Sequence, residues 1–346
     1  MAQNRKKFLQ TIAAGLGMSF LGVRQISAKN TFQKSVTKPK ALKKGDTIGM
    51  ISPGFSLPHE RQYGKIVKKF ERFGFKVKVG AHARDHYGYF AGTDKNRASD
   101  LNNMFADTSV DAIIPFRGGW GSDRILPYID FDLIRHHPKI LLGFSDITAL
   151  LLSIYARSGL VTFHGPLGEW ELTPFNRRYF KKALMDARPF VMKNKGSSKN
   201  NNAVKTLRKG TATGTLLGGN LTVLTSMLGS DYLPDWENGI LFLEDVGEDI
   251  YRIDRMLTQL QLNGVFEKIN GFVFGKCSDC KMSKGRHFTL NQVLSQHLKK
   301  YDIPAYSGAN IGHIKNIFTL PIGVKAQMDS GQGIIKVLES PVKQAG

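Results

Sequence analysis

KILLGFSDITALLLSIYA, residues 139–156, changes its hydrophobic period half-way. The first half, Lys139 to Gly143, follows Pro138 and is short and aliphatic, which predicts a strand buried on both faces. After Asp146, the apolar residues Ile147, Ala149, Leu150, Leu151, Ile154 and Tyr155 recur at spacings of three and four, which predicts a helix. Ser145 and Asp146 are residue types that begin helices, so Ser145 stands at a strand-to-helix turn. Two roles fit it there. One is the ordinary helix cap, a hydroxyl accepting a backbone N–H. The other is a nucleophile elbow, with the hydroxyl clear of the sheet and helix N–H groups turned toward a developing oxyanion. The Gly-x-Ser-x-Gly signature of the common hydrolase elbow is absent, because position 147 is Ile, and the local pattern leaves both roles open.

The flanking sequence repeats the same plan. GDTIGMISPG, residues 45–54, predicts a strand ending in a Ser-Pro-Gly turn. YGKIVKKFERFGFKVKVG, residues 63–80, predicts a helix with Ile66, Val67, Phe70 and Phe73 on one face, a stop at Gly74 and a strand from Phe75 to Val79. A further helix is expected from about Asp94 and a strand from Val110 to Phe116, followed by the loop Gly118-Gly119-Trp120-Gly121. Alternating strands and helices imply an α/β domain with a Rossmann-like parallel sheet, here residues 44–173. Sites in such sheets gather at the carboxyl ends of strands, where both the glycine loop and Ser145 fall, so the two are expected to face each other.

Residues 174–210 are polar and basic, with KNKGSSKNNNAVKTLRKG at 193–210, and read as a linker or surface excursion. Beyond them, residues 211–342 predict a second α/β domain richer in strand. It includes the strands GILFLED (239–245) and GFVFGK (271–276) and helices from about Tyr251 and Leu290.

Composition sets the bounds. A chain of 346 residues is long enough for two domains, and 41% hydrophobic residues with 36 glycines describe a globular protein with many turns. The net charge of +21 suggests an anionic partner, but the lysines are scattered and no nucleic-acid fold signature accompanies them, so no nucleic-acid partner is expected. Arg5-Lys6-Lys7, the uncharged run from Phe8 to Val23 and the small-residue stretch Ile26-Ser27-Ala28 have the layout of an export signal covering residues 1–28. The run is short for a membrane span, so no stable anchor is expected in the mature chain, which is expected to be exported to a periplasm, or to stay cytoplasmic if the leader does not function. The two cysteines, Cys277 and Cys280, supply only half of a tetrahedral zinc site. His287 offers a third ligand and nothing obvious a fourth. An exported chain favours a small disulfide and a reducing compartment two free thiols, so the pair is read as structural or incidental, with no metal and no cofactor expected.

A nucleophilic serine needs a base, and the base an orienting acid. Among nine histidines, His164 in TFHGP follows a predicted strand, and His313 in GANIGHIKNIFTLPIG lies in a glycine-flanked loop. Glu244 or Asp245 can supply the acid, at the carboxyl end of an apolar strand. Each alone has an ordinary structural reading; together they give the chain order Ser, acid, His at predicted strand ends.

These segments carry a resemblance. FAGTDKNRASDLNNMFADTSVDAIIPFRGGWGSDRILPYIDFDLIRHHPKILLGFSDITALL, then HGP, LLGGNLTVLTSMLG, ILFLEDVGEDIYRIDRMLTQLQLNGVF and GHIKNIFTLPIG, resemble the LD-carboxypeptidase family of serine peptidases, which includes the microcin C immunity proteins. The similarity runs from about Lys44 to about Leu338. It implies a swivelling-barrel-like second domain and a catalytic set of Ser145, Glu244 and His313. The implied oxyanion donors are the backbone N–H groups of Gly118 (with Gly119 as a lesser candidate) and Asp146. Trp120 stands where the family often has tyrosine near the substrate, and Arg117 can receive a substrate carboxylate or brace the glycine loop. The implied reaction removes the terminal D-alanine from murein tetrapeptide at an L,D-bond, in a chain whose relatives form homodimers. Hydrolysis of another peptide or acyl-amide conjugate, and a catalytically silent muropeptide-binding role, are the alternatives.

Overall fold

The computed structural model describes residues 35–194, 204–282 and 285–344. The expected export signal and residues 195–203 of the basic excursion lie outside the described residues. The elements run β1 (Thr47–Ile51), α1 (Glu60–Arg72), β2 (Lys76–Val79), α2 (Asp94–Ala106), β3 (Ala112–Pro115), α3 (Phe131–His136), β4 (Ile140–Gly143), α4 (Thr148–Ser158) and β5 (Thr162–His164). After α5 (Pro174–Leu184) come β6 (Phe190–Lys193), β7 (Lys205–Arg208), β8 (Thr211–Asn220), α6 (Leu221–Ser226), β9 (Gly239–Val246), α7 (Ile250–Leu262) and α8 (Val265–Lys268). The chain closes with β10 (Ile269–Ser278), α9 (Leu290–Leu298), β11 (Ala305–Ser307), β12 (Leu320–Ile322), β13 (Lys325–Asp329) and β14 (Ile334–Val337).

The first sheet has the order β12-β5-β4-β3-β1-β2, with its five N-terminal strands parallel. β3 (AIIP) and β4 (ILLG) are buried at every position, as strands covered by helices on both faces must be. α1 buries Tyr63, Ile66 and Phe70 and leaves Lys65 and Lys68 exposed, while Lys69 is half-buried toward Trp170. The second sheet is mixed, with the order β6-β14-β13-β8-β9-β10-β11-β7 and β8 to β11 parallel at its centre. The α/β class with a parallel N-terminal sheet therefore stands.

Two features position the site. β12 pairs antiparallel with β5 of the first sheet, Leu320 opposite His164, and β13 then joins the second sheet beside β8. The chain between β11 and β12, which carries His313, thus passes from one sheet to the other. Second, residues 174–210 correct the linker expectation. They contain α5, whose Tyr179, Phe180, Ala183 and Leu184 are buried, and the strands β6 and β7 that end the second sheet. Their polarity has a physical reason: β6 and β7 are edge strands, and lysines on an edge discourage pairing with another chain. Among the described residues no helix is long and apolar enough to cross a membrane.

Candidate active site

Ser145 sits where β4 gives way to helix, and its backbone is left-handed, φ +62. A non-glycine residue in that region costs about 1–2 kcal/mol and persists only where its surroundings dictate it. Here they do. Phe144 is extended just before it, and a single 3-10 turn, Ser145–Ile147, leads into α4. The first turn is capped by no side chain, so Ser145 is not a helix cap. Its hydroxyl instead lies 3.0 Å from Nε2 of His313. Nδ1 of His313 lies 2.9 Å from Oε2 of Glu244, a carboxylate with no exposed surface.

Glu244 and Asp245 are adjacent on β9, so their side chains leave opposite faces of the strand. Only Glu244 turns to the histidine. Its other oxygen accepts from the Asn220 side chain at 3.1 Å, and Asn220 is fixed in turn by capping α6 through Val223 N–H and by donating its own N–H to Thr148 Oγ1 at 3.0 Å. Asp245 accepts from Thr222 N–H and Oγ1 at 3.0 and 2.8 Å, and burial, then the neighbouring Glu244, pushes it up to about 6. Gly312 allows the close approach of the histidine loop: with φ +120, a Cβ there would stand 3.0 Å from Glu244 Oε2. The imidazole is held by rings, with Phe144 4.8 Å and Trp170 6.1 Å away between centroids. Trp170 is itself anchored by its N–H to Ile314 O at 3.0 Å and by Lys69 Nζ to its carbonyl at 2.7 Å.

His164 is elsewhere. It lies fully buried between Phe144 and Phe242, with neither ring nitrogen bonded to a described residue, and burial holds it down at about 4. It makes no hydrogen bond to Ser145.

The glycine loop meets Ser145 as the sequence led us to expect. A methyl group on Gly118 would stand 3.3 Å from Ser145 Cβ and 3.5 Å from the Asp146 nitrogen, so the Gly118 backbone lies against the serine turn. What the sequence did not disclose is the use of the Asp146 side chain. Fully buried, it accepts from Gly121 N–H at 3.0 Å, Ser122 N–H at 3.1 Å and Ser122 Oγ at 2.6 Å, tying the loop to the serine turn. Burial pushes it up to about 6 against these bonds. The buried Arg97 guanidinium adds a second tie through Gly121 O at 2.9 Å. Arg117 lies with Nε 3.6 Å from Glu169 and donates weakly to Ser56 O at 3.4 Å; Trp120 is exposed. Asn220, Trp170 and the Asp146 carboxylate are the site residues for which no role was read from sequence.

Cys277 and Cys280 are joined by a disulfide, S–S 2.13 Å, at the carboxyl end of β10, where Cys277 pairs with Asp245. Among the described residues no group of three or more His, Cys, Asp or Glu side chains is arranged to hold a metal ion.

A hydroxyl bonded to an imidazole, and an imidazole bonded to a buried carboxylate, can together perform acyl transfer. Fold and site define a two-sheet α/β peptidase. The chain belongs to the LD-carboxypeptidase family: residues 48–165 match the LD-carboxypeptidase N-terminal domain and residues 213–328 the C-terminal domain. It is 39% identical over 303 residues to the probable murein peptide carboxypeptidase of Bacillus subtilis, covering 85% of this chain and 92% of that one. It is 34% identical to the microcin C7 self-immunity protein MccF of Escherichia coli, covering 85% and 94%. The structure of MccF in its wild-type apo state superposes with a TM-score of 0.81, at 30% identity, over 89% of this chain and all of that one.

Proposed function

We propose that this chain is a serine L,D-carboxypeptidase that removes the terminal D-alanine from murein tetrapeptide. The observation that carries the reading is the unbroken chain from Ser145 Oγ through His313 to Glu244, at 3.0 and 2.9 Å. In the proposed reaction, the Ser145 oxygen attacks the carbonyl of the L-residue while His313 Nε2 takes its proton. The oxyanion is met by the N–H groups of Gly118 and Asp146. His313 then returns the proton to the departing D-alanine nitrogen, leaving an acyl-serine that water, activated by the same imidazole, hydrolyses. Glu244 holds the imidazole in the tautomer with Nε2 free to accept.

Mass spectrometry of defined tetrapeptides tests reaction and substrate together. The peptide ending in D-Ala should be cleaved far faster than its L-Ala epimer, because the oxyanion donors fix the attack face and an inverted leaving residue misplaces its methyl and carboxylate. Ser145→Ala and His313→Ala should each cost roughly a thousandfold or more in kcat, and His164→Ala should not. Equal rates on the two epimers, or near-normal turnover by the Ser145 variant, refute the mechanism.

A second reading, hydrolysis of another peptide or acyl-amide conjugate, is favoured by the likeness to MccF. Faster turnover of such a conjugate than of any tetrapeptide would select it. We further propose that the protein acts outside the cytoplasm. The Cys277–Cys280 disulfide supports this, because disulfides persist in oxidising compartments. N-terminal sequencing of native protein should find a start close to Lys29, and an intact Met1 or Ala2 in the cytosol refutes export.

A further inference from the structure

α5 turns a cationic face outward. Arg177, Arg178, Lys181 and Lys182 share that face, with Arg177 one turn before Lys181 and Arg178 one turn before Lys182. Like charges at that spacing destabilise a helix. Arg178 and Lys182 each lie 5.9 Å from the centroid of the same Tyr179 ring, and burial, then Arg178, holds the Lys182 ammonium below its ordinary value. Two more cations face the helix. Leu42 N–H donates to Leu184 O and Gly45 N–H to Gly74 O, each at 2.8 Å, which fixes Lys44 between the end of α5 and the end of α1, where Arg72 stands. The groove so formed has a volume of about 640 Å³.

Its charge is not balanced from within. The groove is lined by these six cations and by a single acid, Asp186, which is paired with Arg188 at 3.3 Å. Among the described residues none of the six makes an ion pair. A row of like charges that weakens its own helix and has no counter-charge in the chain points to an anion outside it.

Shape and chemistry select the anion. Three of the six cations are arginines, whose planar fork pairs with two phosphate oxygens at once. Along α5 the cations recur about every 6 Å, four residues at the helical rise, which suits charges repeated along an extended chain. A flat anionic bilayer reaches only the rims of a concave site, and a second copy of this protein brings the same positive charge. Single-stranded nucleic acid is held by stacking its bases on rings. The ring that lines the groove, Phe73, is half-buried and set edge-on to Phe75 and Phe180, with centroids 5.6 and 5.4 Å apart, so it offers no such platform. A phosphodiester chain without bases needs only the cations.

We propose that the groove between α5 and the end of α1 binds a base-free linear phosphodiester polymer, of the kind built from glycerol phosphate, and so tethers the protein to it. This does not rest on the carboxypeptidase reading, and binding is measured without turnover.

The test is titration calorimetry of the protein with poly(glycerol phosphate) at about 50 and about 200 mM salt. Wild type should bind, and more weakly at the higher salt. Arg177→Gln together with Lys181→Gln should weaken binding about tenfold and lower the slope of log affinity against log salt by about two. Lys44→Gln together with Arg72→Gln, on the opposite wall, should do the same. Lys209→Gln together with Lys299→Gln removes equal charge from exposed positions outside the groove and should change affinity less than about twofold. Melting curves confirm that each variant is folded. No binding by wild type at the lower salt, undiminished binding by either groove variant, or an equal loss in the Lys209 and Lys299 variant overturns the proposal. So does tighter binding of oligothymidine, or of phosphatidylglycerol vesicles, through the same groove residues.

Discussion

Replacing Asp146 with Asn should flatten the dependence of stability on pH and make the protein less active. The carboxylate is buried completely, and burial raises it from 3.8 to about 6 although Ser122 and Gly121 donate to it; Asp123 adds to the rise. A group whose folded pKa lies above its unfolded value contributes stability that is complete below about pH 4 and is lost as the pH rises through about 6. A displacement of about two units corresponds to roughly 3 kcal/mol. At pH 7.5 the wild type bears that cost and the neutral Asn does not, but the Asn amide nitrogen replaces one of the two oxygens that accept from Gly121 and Ser122, so the effect to read is the lost pH dependence. The same carboxylate holds the Gly121 and Ser122 N–H groups through charge-assisted bonds, which are roughly twice as strong as those to an amide oxygen. With the hold weakened, the Gly118 N–H loses its fixed position, and misplacing one oxyanion donor costs about 100-fold in kcat. Urea unfolding of both proteins at pH 4 and pH 7.5, with kcat on the D-Ala tetrapeptide at pH 7.5, reads both consequences. A variant whose stability changes with pH as the wild type's does, or whose kcat stays within about threefold, refutes the reasoning.

His164→Phe should act in the opposite pH window. The imidazole is held near 4 by burial, below its unfolded value of 6.5, so its contribution is present above about pH 6.5 and lost as the pH falls through about 4. The phenyl variant should lose about 3 kcal/mol less than wild type between pH 7.5 and pH 4 in urea unfolding, and identical losses would mean that the ring is already charged in the native state. Exchanging Cys277 and Cys280 together for Ser should cost roughly 2 kcal/mol, the loop-closure value for so short a loop, seen as a lower melting temperature that a reducing agent reproduces in the wild type. Gly312→Ala should lower kcat at least tenfold, since a methyl 3.0 Å from Glu244 Oε2 at φ +120 must displace the histidine loop; unchanged turnover would show that the loop has room to give.

The change of period across residues 139–156 located Ser145, because a buried parallel strand and an amphipathic helix differ in pattern over only a few residues, and the turn between them has little freedom. Nothing local could choose between Glu244 and Asp245, which both end the same apolar run. Strand alternation gives one to each face, but which face meets the histidine depends on where the β11–β12 connection crosses. His164 misleads for a related reason. It also ends a parallel strand, yet β12 pairs across from it and Phe242 of the second sheet covers it, so the position is interior. The 174–210 segment looked like a linker because edge strands and a basic helix face have the composition of one, while the apolar positions that bury α5 are only four residues.

Asn220 and Thr148 escaped the sequence because their meaning exists only between the two sheets. Ser145 and His313 are 168 positions apart, and their 3.0 Å contact requires that the first sheet hold the serine turn while a chain leaving the second sheet delivers the imidazole. Thr148, in the first turn of the serine's own helix, accepts the N–H of Asn220, and Asn220 in turn donates to Glu244. One short series of hydrogen bonds thus sets the acid relative to the nucleophile's helix without passing through the histidine. An active site assembled this way is sensitive to how the sheets dock. A shift of a few tenths of an ångström between them would leave each sheet's core packing intact and lengthen the two bonds on which proton transfer depends. A catalytic reading of sequence, made strand by strand, therefore finds the reacting groups and passes over Asn220 and Thr148, whose roles are set between the sheets.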